Sequence, residues 1–464
     1  MIRFIIAFSF GLLTIFSCSS KQVKQPTESG HSAASAPAIQ KENFPIDSVI
    51  RTISCTADPS QSFALYLPPS YTHTGKFPVI VFFDPHGNGS LPVSKYSALA
   101  KQFGFVMAGS NNSKNGKAVS ETNDIVKILL SDLRSRIAVD EKRIVMAGFS
   151  GGAKVSLAYG QDHPEISAII YAGAAIPIQH SNPSLSLLGF AGVNDMNYTD
   201  LIAFDQSVSL PNMHHFLIEW NGKHEWPSVS TFRDAFYWTA FNSMRNHLQD
   251  RDEILFHQFQ EENEKAIRIS NDPFTVFMLL NKARYFLSNI SPTDSCNDRI
   301  AAIEKGKDFQ EATQYKQQLI QQEQSLKQDY YAAFQQKDLE WWKLEITRIK
   351  NVQDAKLKPM YQRLLGFISL AGNSISTNAI LQNQFETANK MLTIYKLADP
   401  ENSDQPFLEA CYFAKLNEPG KAISSLKEAM RLGMKDVSKI MNESALSTLH
   451  SMPEFISLVK NLTE

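Results

Sequence analysis

From Ser62 onward the chain alternates short, continuous apolar runs with longer stretches whose apolar residues recur near helical spacing. The runs are Phe63 to Leu67, Phe77 to Phe83, Phe103 to Ala108, Arg143 to Ala147, Ile166 to Ala172, Leu185 to Ala191 and His214 to Glu219. They are rich in β-branched and aromatic residues, as strands covered on both faces of a mainly parallel sheet must be. Asn123 to Ile137 and Ala153 to Asp162 carry the helical spacing between them. Alternation of this kind predicts a doubly wound α/β domain.

After about Asp250 the strand-like runs stop, and Gln, Glu, Lys and Leu dominate. Phe309 to Lys350 reads as an amphipathic helical stretch, with Leu319, Leu326, Tyr330, Phe334 and Leu339 on its buried stripe and the Trp341-Trp342 pair in the core. Past Ser376, Ala388, Leu392 and Tyr395 recur 34 positions on as Ala422, Leu426 and Ala429, and Asp399-Pro400 closes the first unit. That period, and the segment FLEACYFAKLNEPGKAISSLKEAMRLG from Phe407, resemble a tetratricopeptide repeat that lacks its usual Trp and first Gly. Two such units are too few to stand alone, so they are expected to complete a helical array begun upstream. Such an array implies either a protein partner or a structural role against the first domain.

With 464 residues the chain has room for two or three cores. The expected organisation is a leader over 1–17, a tether over 18–48, the α/β domain over 49–249, a helical region over 250–375 and repeat-like helices over 376–464. Met1 to Ser17 holds one cation, Arg3, and an apolar run from Phe4 to Phe16 that is too short to span a bilayer, which reads as a signal peptide. Ile15-Phe16-Ser17-Cys18 resembles a bacterial lipobox, which implies lipid on Cys18 and a chain anchored in the cell envelope, at the periplasmic face or the surface. Gln22 to Lys41, rich in Ser, Ala, Pro and Gln, suits a flexible tether.

Taking Arg3 from the 45 basic residues leaves 44 against 47 acidic ones, so nothing suggests nucleic acid as a partner. Cys55, Cys296 and Cys411 show no metal-ligand spacing. A Cys55–Cys296 disulfide is possible in an oxidising compartment, but unpaired structural thiols are the expectation.

The chemistry concentrates at Gly148-Phe149-Ser150-Gly151-Gly152. A serine hydroxyl needs a base, an acid to orient the base and donors for the oxyanion before it can act as a nucleophile. Gly148 and Gly152 lack a Cβ, which lets a strand turn sharply into a helix with Ser150 projecting from the turn. A strand is expected just before it and a helix just after, the context such an elbow requires.

Around this motif stand LPPSY at 67 to 71, FFDPHGNG at 82 to 89, AGSNNS at 108 to 113, GVND at 192 to 195 and GKHEWP at 222 to 227. Together with GFSGG they resemble the α/β-hydrolase family, in its secreted esterase and polyester-depolymerase-like branches, over about Phe63 to Asn246. The resemblance implies an acid after the seventh strand and a histidine after the eighth. It therefore implies Asp195 as the acid, with Asp200 in reserve, and His224 as the base. His214 and His215 begin a strand instead of following one, and Glu225 is too close in sequence to orient its neighbour. The resemblance also implies an oxyanion hole of the Gly151 and Asn88 backbone N–H groups; for the other residues of that loop the alternatives are that His86 lines the pocket and that Asp84 braces the loop.

These residues predict acyl transfer, which asks for no metal or organic cofactor. Only Gly173 to Ser184 separates the sixth and seventh strands, too little for a large lid there, so an open site accepting esters on larger molecules, such as acylated glycans or polyester-like chains, is expected unless the helical region covers it. A serine peptidase or amidase with the same triad, and a non-catalytic surface adaptor, are the alternatives.

Overall fold

Phe63, Leu65, Val79, Val81 and Phe83 enter one hydrophobic core and Ala64, Tyr66, Ile80 and Phe82 another, the period-two division that places a sheet between two layers. A computed structural model describes residues 41–179, 185–208 and 214–463. In chain order the first half gives β1 (Val49–Ser54), β2 (Ser62–Tyr66), β3 (Phe77–Phe83), α1 (Ser90–Phe103), β4 (Val106–Ser110), α2 (Val119–Arg136) and β5 (Val139–Phe149). It continues with α3 (Gly151–Asp162), β6 (Ile166–Ala172), β7 (Ser186–Gly192), α4 (Tyr198–Ser207), β8 (His214–Trp220) and α5 (Val229–Arg245).

Among the described residues the strands form an eight-stranded sheet in the order β1-β2-β4-β3-β5-β6-β7-β8. Strands β3 to β8 pair in parallel, and β2 runs antiparallel to both β1 and β4. Helices α2, α3 and α4 cover one face; α1 and α5 cover the other. This is the α/β-hydrolase fold, and it sets the carboxyl ends of β3, β5, β7 and β8 along one edge, where the connecting loops meet.

Two elements differ from the sequence reading for physical reasons. Strand β1, VIRTIS, lies at the sheet edge with half of its residues exposed, so it carries no continuous apolar run. Phe103 ends α1 instead of opening a strand: Gly104 follows with φ 73°, the left-handed turn that stops a helix, and β4 begins only at Val106.

The second half gives α6 (Glu253–Ile269), α7 (Pro273–Leu287), α8 (Asp294–Glu304), α9 (Lys307–Gln336), α10 (Leu339–Lys350), α11 (Lys358–Leu381) and α12 (Phe385–Ala398). It ends with α13 (Asp404–Lys415), α14 (Pro419–Arg431), α15 (Val437–Asn442), a 3-10 turn over Ser444–Leu449 and α16 (Pro453–Thr463). The amphipathic stretch expected over 309–350 is two helices, broken where the Asp338 carboxylate caps α10 by accepting the Trp341 N–H at 2.9 Å. Trp342 is buried as expected, and α11 packs with α12 and α13 with α14 through the small residues Ala388, Ala422 and Ala429.

From Lys41 onward the described residues form one compact unit. Phe256 and Phe259 of α6 and Phe286 and Leu287 of α7 share a core with α1, α5 and the sheet. Cys55, Cys296 and Cys411 are free thiols; Cys55 lies in the core on one side of the sheet and Cys296 packs on the other. Cys18 and the leader lie outside the described residues.

Candidate active site

Strand β5 pairs Gly148 with Phe83 on one side and Tyr171 on the other, then ends at Phe149. The next residue, Ser150, has φ 52° and ψ −119°, and α3 starts immediately after it. A non-glycine residue held at such angles costs about 1–3 kcal/mol, so the surroundings must impose it. The Ser150 N–H donates to the Ala172 carbonyl at 2.8 Å, and its own carbonyl accepts from Ala153 N at 3.1 Å. A Cβ at Gly148 would run into the Gly152 carbonyl, and one at Gly152 into the carbonyl of Phe83. The two flanking glycines are thus required by the close approach of β5, α3 and β3.

His224 comes from the loop after β8. Its Nε2 lies 2.9 Å from Ser150 Oγ, and its Nδ1 lies 2.9 and 3.0 Å from the two carboxylate oxygens of Asp195. Asp195 is buried in the turn between β7 and α4, where one oxygen also accepts the Asn197 N–H at 2.8 Å. The Asn197 side chain donates to the Gly173 carbonyl at 2.7 Å, joining this turn to the end of β6. The imidazole sits between Asp195 and the ring of Phe149, whose centroid is 4.7 Å away. Gly173, at φ 69°, passes so close that a Cβ there would stand 3.2 Å from His224 Cε1.

The structure therefore brings Ser150, His224 and Asp195 into one hydrogen-bonded line. Asp200 is left exposed in the first turn of α4. His215 is engaged elsewhere, 2.7 Å from the Tyr171 hydroxyl, and burial pushes its imidazole down to about 4.

Asp84 braces the neighbouring loop, as expected. It accepts the His86 N–H at 2.9 Å and the Trp226 indole N–H at 2.9 Å. Burial raises the Asp84 carboxyl, but donors at His86 and Trp226 outweigh it and hold it below the usual range. The carbonyl of Asp84 accepts from Gly87 N at 3.1 Å, so the first two N–H groups of the loop that can donate turn back on Asp84.

A cavity of about 640 Å³ opens over Ser150. Pro85 and His86 line it, and Asn88 is exposed and outside its lining. Asn115, from the loop after β4, lines it too, and its side-chain amide lies against Gly151 with Oδ1 nearest and Nδ2 beside it. Gly151 itself is the first residue of α3, where N–H groups have no acceptor within the helix and the dipole favours negative charge.

The opposite wall is built by the helical half. Ser369 and Asn373 of α11, Tyr395 of α12 and the Asp399-to-Asn402 turn face the cavity. Asp399 accepts from Ser369 Oγ at 3.0 Å and from Asn402 Nδ2 at 2.9 Å, which fixes its carboxylate. The open site expected from the short 173–184 connection is thus walled by α11 and α12 instead. Sequence reasoning missed Asn115, Gly173 and this wall as parts of the site, because only the packing of distant segments brings them to Ser150.

No family model matches the chain, and no curated protein matches it. Among solved structures, an esterase from the archaeon Pyrobaculum calidifontis is similar at 13% identity and TM-score 0.33, over 43% of this chain and 85% of that one. Esterase B from Lactobacillus rhamnosis is similar at 14% identity and TM-score 0.35, over 45% and 92%. An S-formylglutathione hydrolase from Agrobacterium tumefaciens is similar at 14% identity and TM-score 0.32, over 43% and 97%. Likenesses of this size carry no weight for function; the fold rests on the sheet order and the Ser150 turn of this chain itself.

Proposed function

We propose that the protein is a serine hydrolase that cleaves carboxylic esters through an acyl-enzyme. The observation that carries this reading is the continuous line Ser150 Oγ, His224 Nε2, His224 Nδ1 and Asp195, with every step near 2.9 Å. Ser150 Oγ attacks the ester carbonyl as His224 accepts its proton, and a tetrahedral oxyanion forms. The Gly151 N–H receives that oxyanion, and the Asn115 side chain, turned so that its Nδ2 faces it, supplies the second donor. The C–O bond to the alcohol breaks as His224 returns the proton to it, and water, activated by the same imidazole, releases the acid.

The acid half of the ester lies against Phe149 and His86; the alcohol half extends toward α11 and α12. The side-chain amides of Asn373 and Asn402 supply neutral donors there and Asp399, held by Ser369, a fixed acceptor, which suits a hydroxyl-rich alcohol such as a sugar better than a lipid chain. Acylated glycans of the cell envelope are accordingly the substrate class, with Cys18 as the membrane anchor, and the chemistry draws on no cofactor. Protein partners at the repeat-like helices are a further element of the proposal, which the polar wall makes secondary.

The test is hydrolysis of acetyl-sugar, feruloyl and short-chain aryl esters by the purified protein beside Ser150→Ala and His224→Ala. Turnover lost in both variants, with sugar esters preferred, supports the reading. Turnover that survives Ser150→Ala sinks it.

A further inference from the structure

The turn that carries Asp195 is gripped from the helical half at the residues on either side of it. Arg363 of α11 donates from Nη1 to the Val193 carbonyl at 2.6 Å, and Lys327 of α9 donates from Nζ to the Met196 carbonyl at 2.7 Å. Lys327 also reaches Thr199 Oγ1 at 2.9 Å. Between the two cations lies Glu323, fully buried, which accepts from Arg363 Nε and Nη2 at 2.8 and 2.6 Å and stands 3.1 Å from Lys327 Nζ. The Arg363 guanidinium lies over the Tyr198 ring, 4.6 Å from its centroid.

Burying three charged side chains is expensive, and an apolar trio of the same volume would often hold two layers together as well. Stability alone therefore does not account for this cluster. Its two cations end on the carbonyls two residues before and one residue after Asp195, while that turn's own N–H groups are used inside the hydrolase layer. Val193 N donates to Trp220, Asn194 N to Gly222 and Asp195 N to Gly192.

We propose that Lys327 and Arg363 are positioning residues for Asp195, which makes the helical half a working part of the hydrolase and not an appended module. This inference rests on the reading of Ser150, His224 and Asp195 as a triad. Misplacing a reacting group by about 1 Å costs about 100-fold in rate, and that is the fall in kcat expected for Arg363→Met and Lys327→Met, with KM little changed.

The experiment measures kcat, KM and the rate of Ser150 labelling by a fluorophosphonate for the full chain and its variants, at a temperature where each retains native circular dichroism. Arg363→Lys, which keeps the charge and one donor to Val193, recovers much of the loss. Lys282→Met is the control, because it breaks the Lys282–Asp234 ion pair between α7 and α5, at 3.0 Å, without touching the Asp195 turn. It retains the parent rates. Where Arg363→Met does not fold, Lys327→Met, nearer the edge of the cluster, carries the comparison.

Parent-like turnover and labelling in the methionine variants overturn the proposal. So does a loss of the same size in Lys282→Met, which would make the effect one of general stability. A parent that neither turns over nor labels overturns the triad reading itself, and with it the role given to the clamp.

Discussion

Trp226 donates its indole N–H to the buried Asp84 at 2.9 Å, which ties the loop carrying His224 to the loop that follows β3. The same carboxylate accepts the His86 N–H, so one side chain fixes two walls of the cavity. Trp226→Phe leaves the ring's packing against Phe82, Tyr96 and Phe149 but strips Asp84 of a donor. The expected loss is about 1–3 kcal/mol in urea unfolding, together with a lower kcat, because the imidazole loop is freer to move. The difference in stability shrinks in acid: the Asp84 carboxyl is held low in the fold, so its contribution is present above the ordinary carboxylate range and disappears once it is protonated.

Gly152 has no room for a methyl group, since a Cβ there would run into the Phe83 carbonyl oxygen. Gly152→Ala must push α3 away from β3, and overpacking of this kind costs about 1–3 kcal/mol. Ser150 rides on that contact. The variant is therefore expected to lose ester turnover even at temperatures where thermal melting shows it folded.

Asn115 is assigned to the oxyanion. It is exposed and sits on a loop, so Asn115→Ala is expected to leave the melting temperature unchanged while lowering kcat about 100-fold, the effect of losing one such donor. Steady-state kinetics beside a thermal melt separates the two quantities.

Asp205, on α4, is pushed up to about 6 by burial and by the nearby Glu219, against an unfolded value of about 3.9. A carboxyl raised in the fold is protonated more readily there than in the unfolded chain. Its ionisation therefore weakens the fold above about pH 6, and the penalty fades as pH falls toward the unfolded value. Asp205→Asn is expected to raise the melting temperature at pH 7.5 and to leave it unchanged at pH 4. The neighbouring His215, 3.5 Å away and pushed down to about 4 by burial, titrates in the opposite sense. It is lost gradually as pH falls from its unfolded range, so the parent's own pH profile is flatter than either group alone would give.

The sheet was legible because parallel strands covered on both faces leave continuous apolar runs, as Phe77 to Phe83 and Ile166 to Ala172 do. The edge strand Val49–Ser54 was not, since exposure dilutes its pattern. Ser150, Asp195 and His224 were found because each lies just past the end of a strand, where the fold leaves a loop at the same edge. Asn115 lies on the loop after β4, five residues past the strand end at Ser110, and only the fold brings its side chain against Gly151. The wall of Ser369, Asn373 and Asp399 depends on how α11 and α12 dock onto the sheet layer. Within that interface lie Lys327, Glu323 and Arg363, charged residues that in sequence look like the solvated face of a helix.

The most direct test of the account is peptide mapping by mass spectrometry after brief exposure of the protein to an activated acetyl ester, with acid quench. The account predicts one acetyl group on Ser150, formed in the parent and absent from His224→Ala. An adduct on any other residue, or equal acylation of Ser150 when His224 is gone, would contradict it.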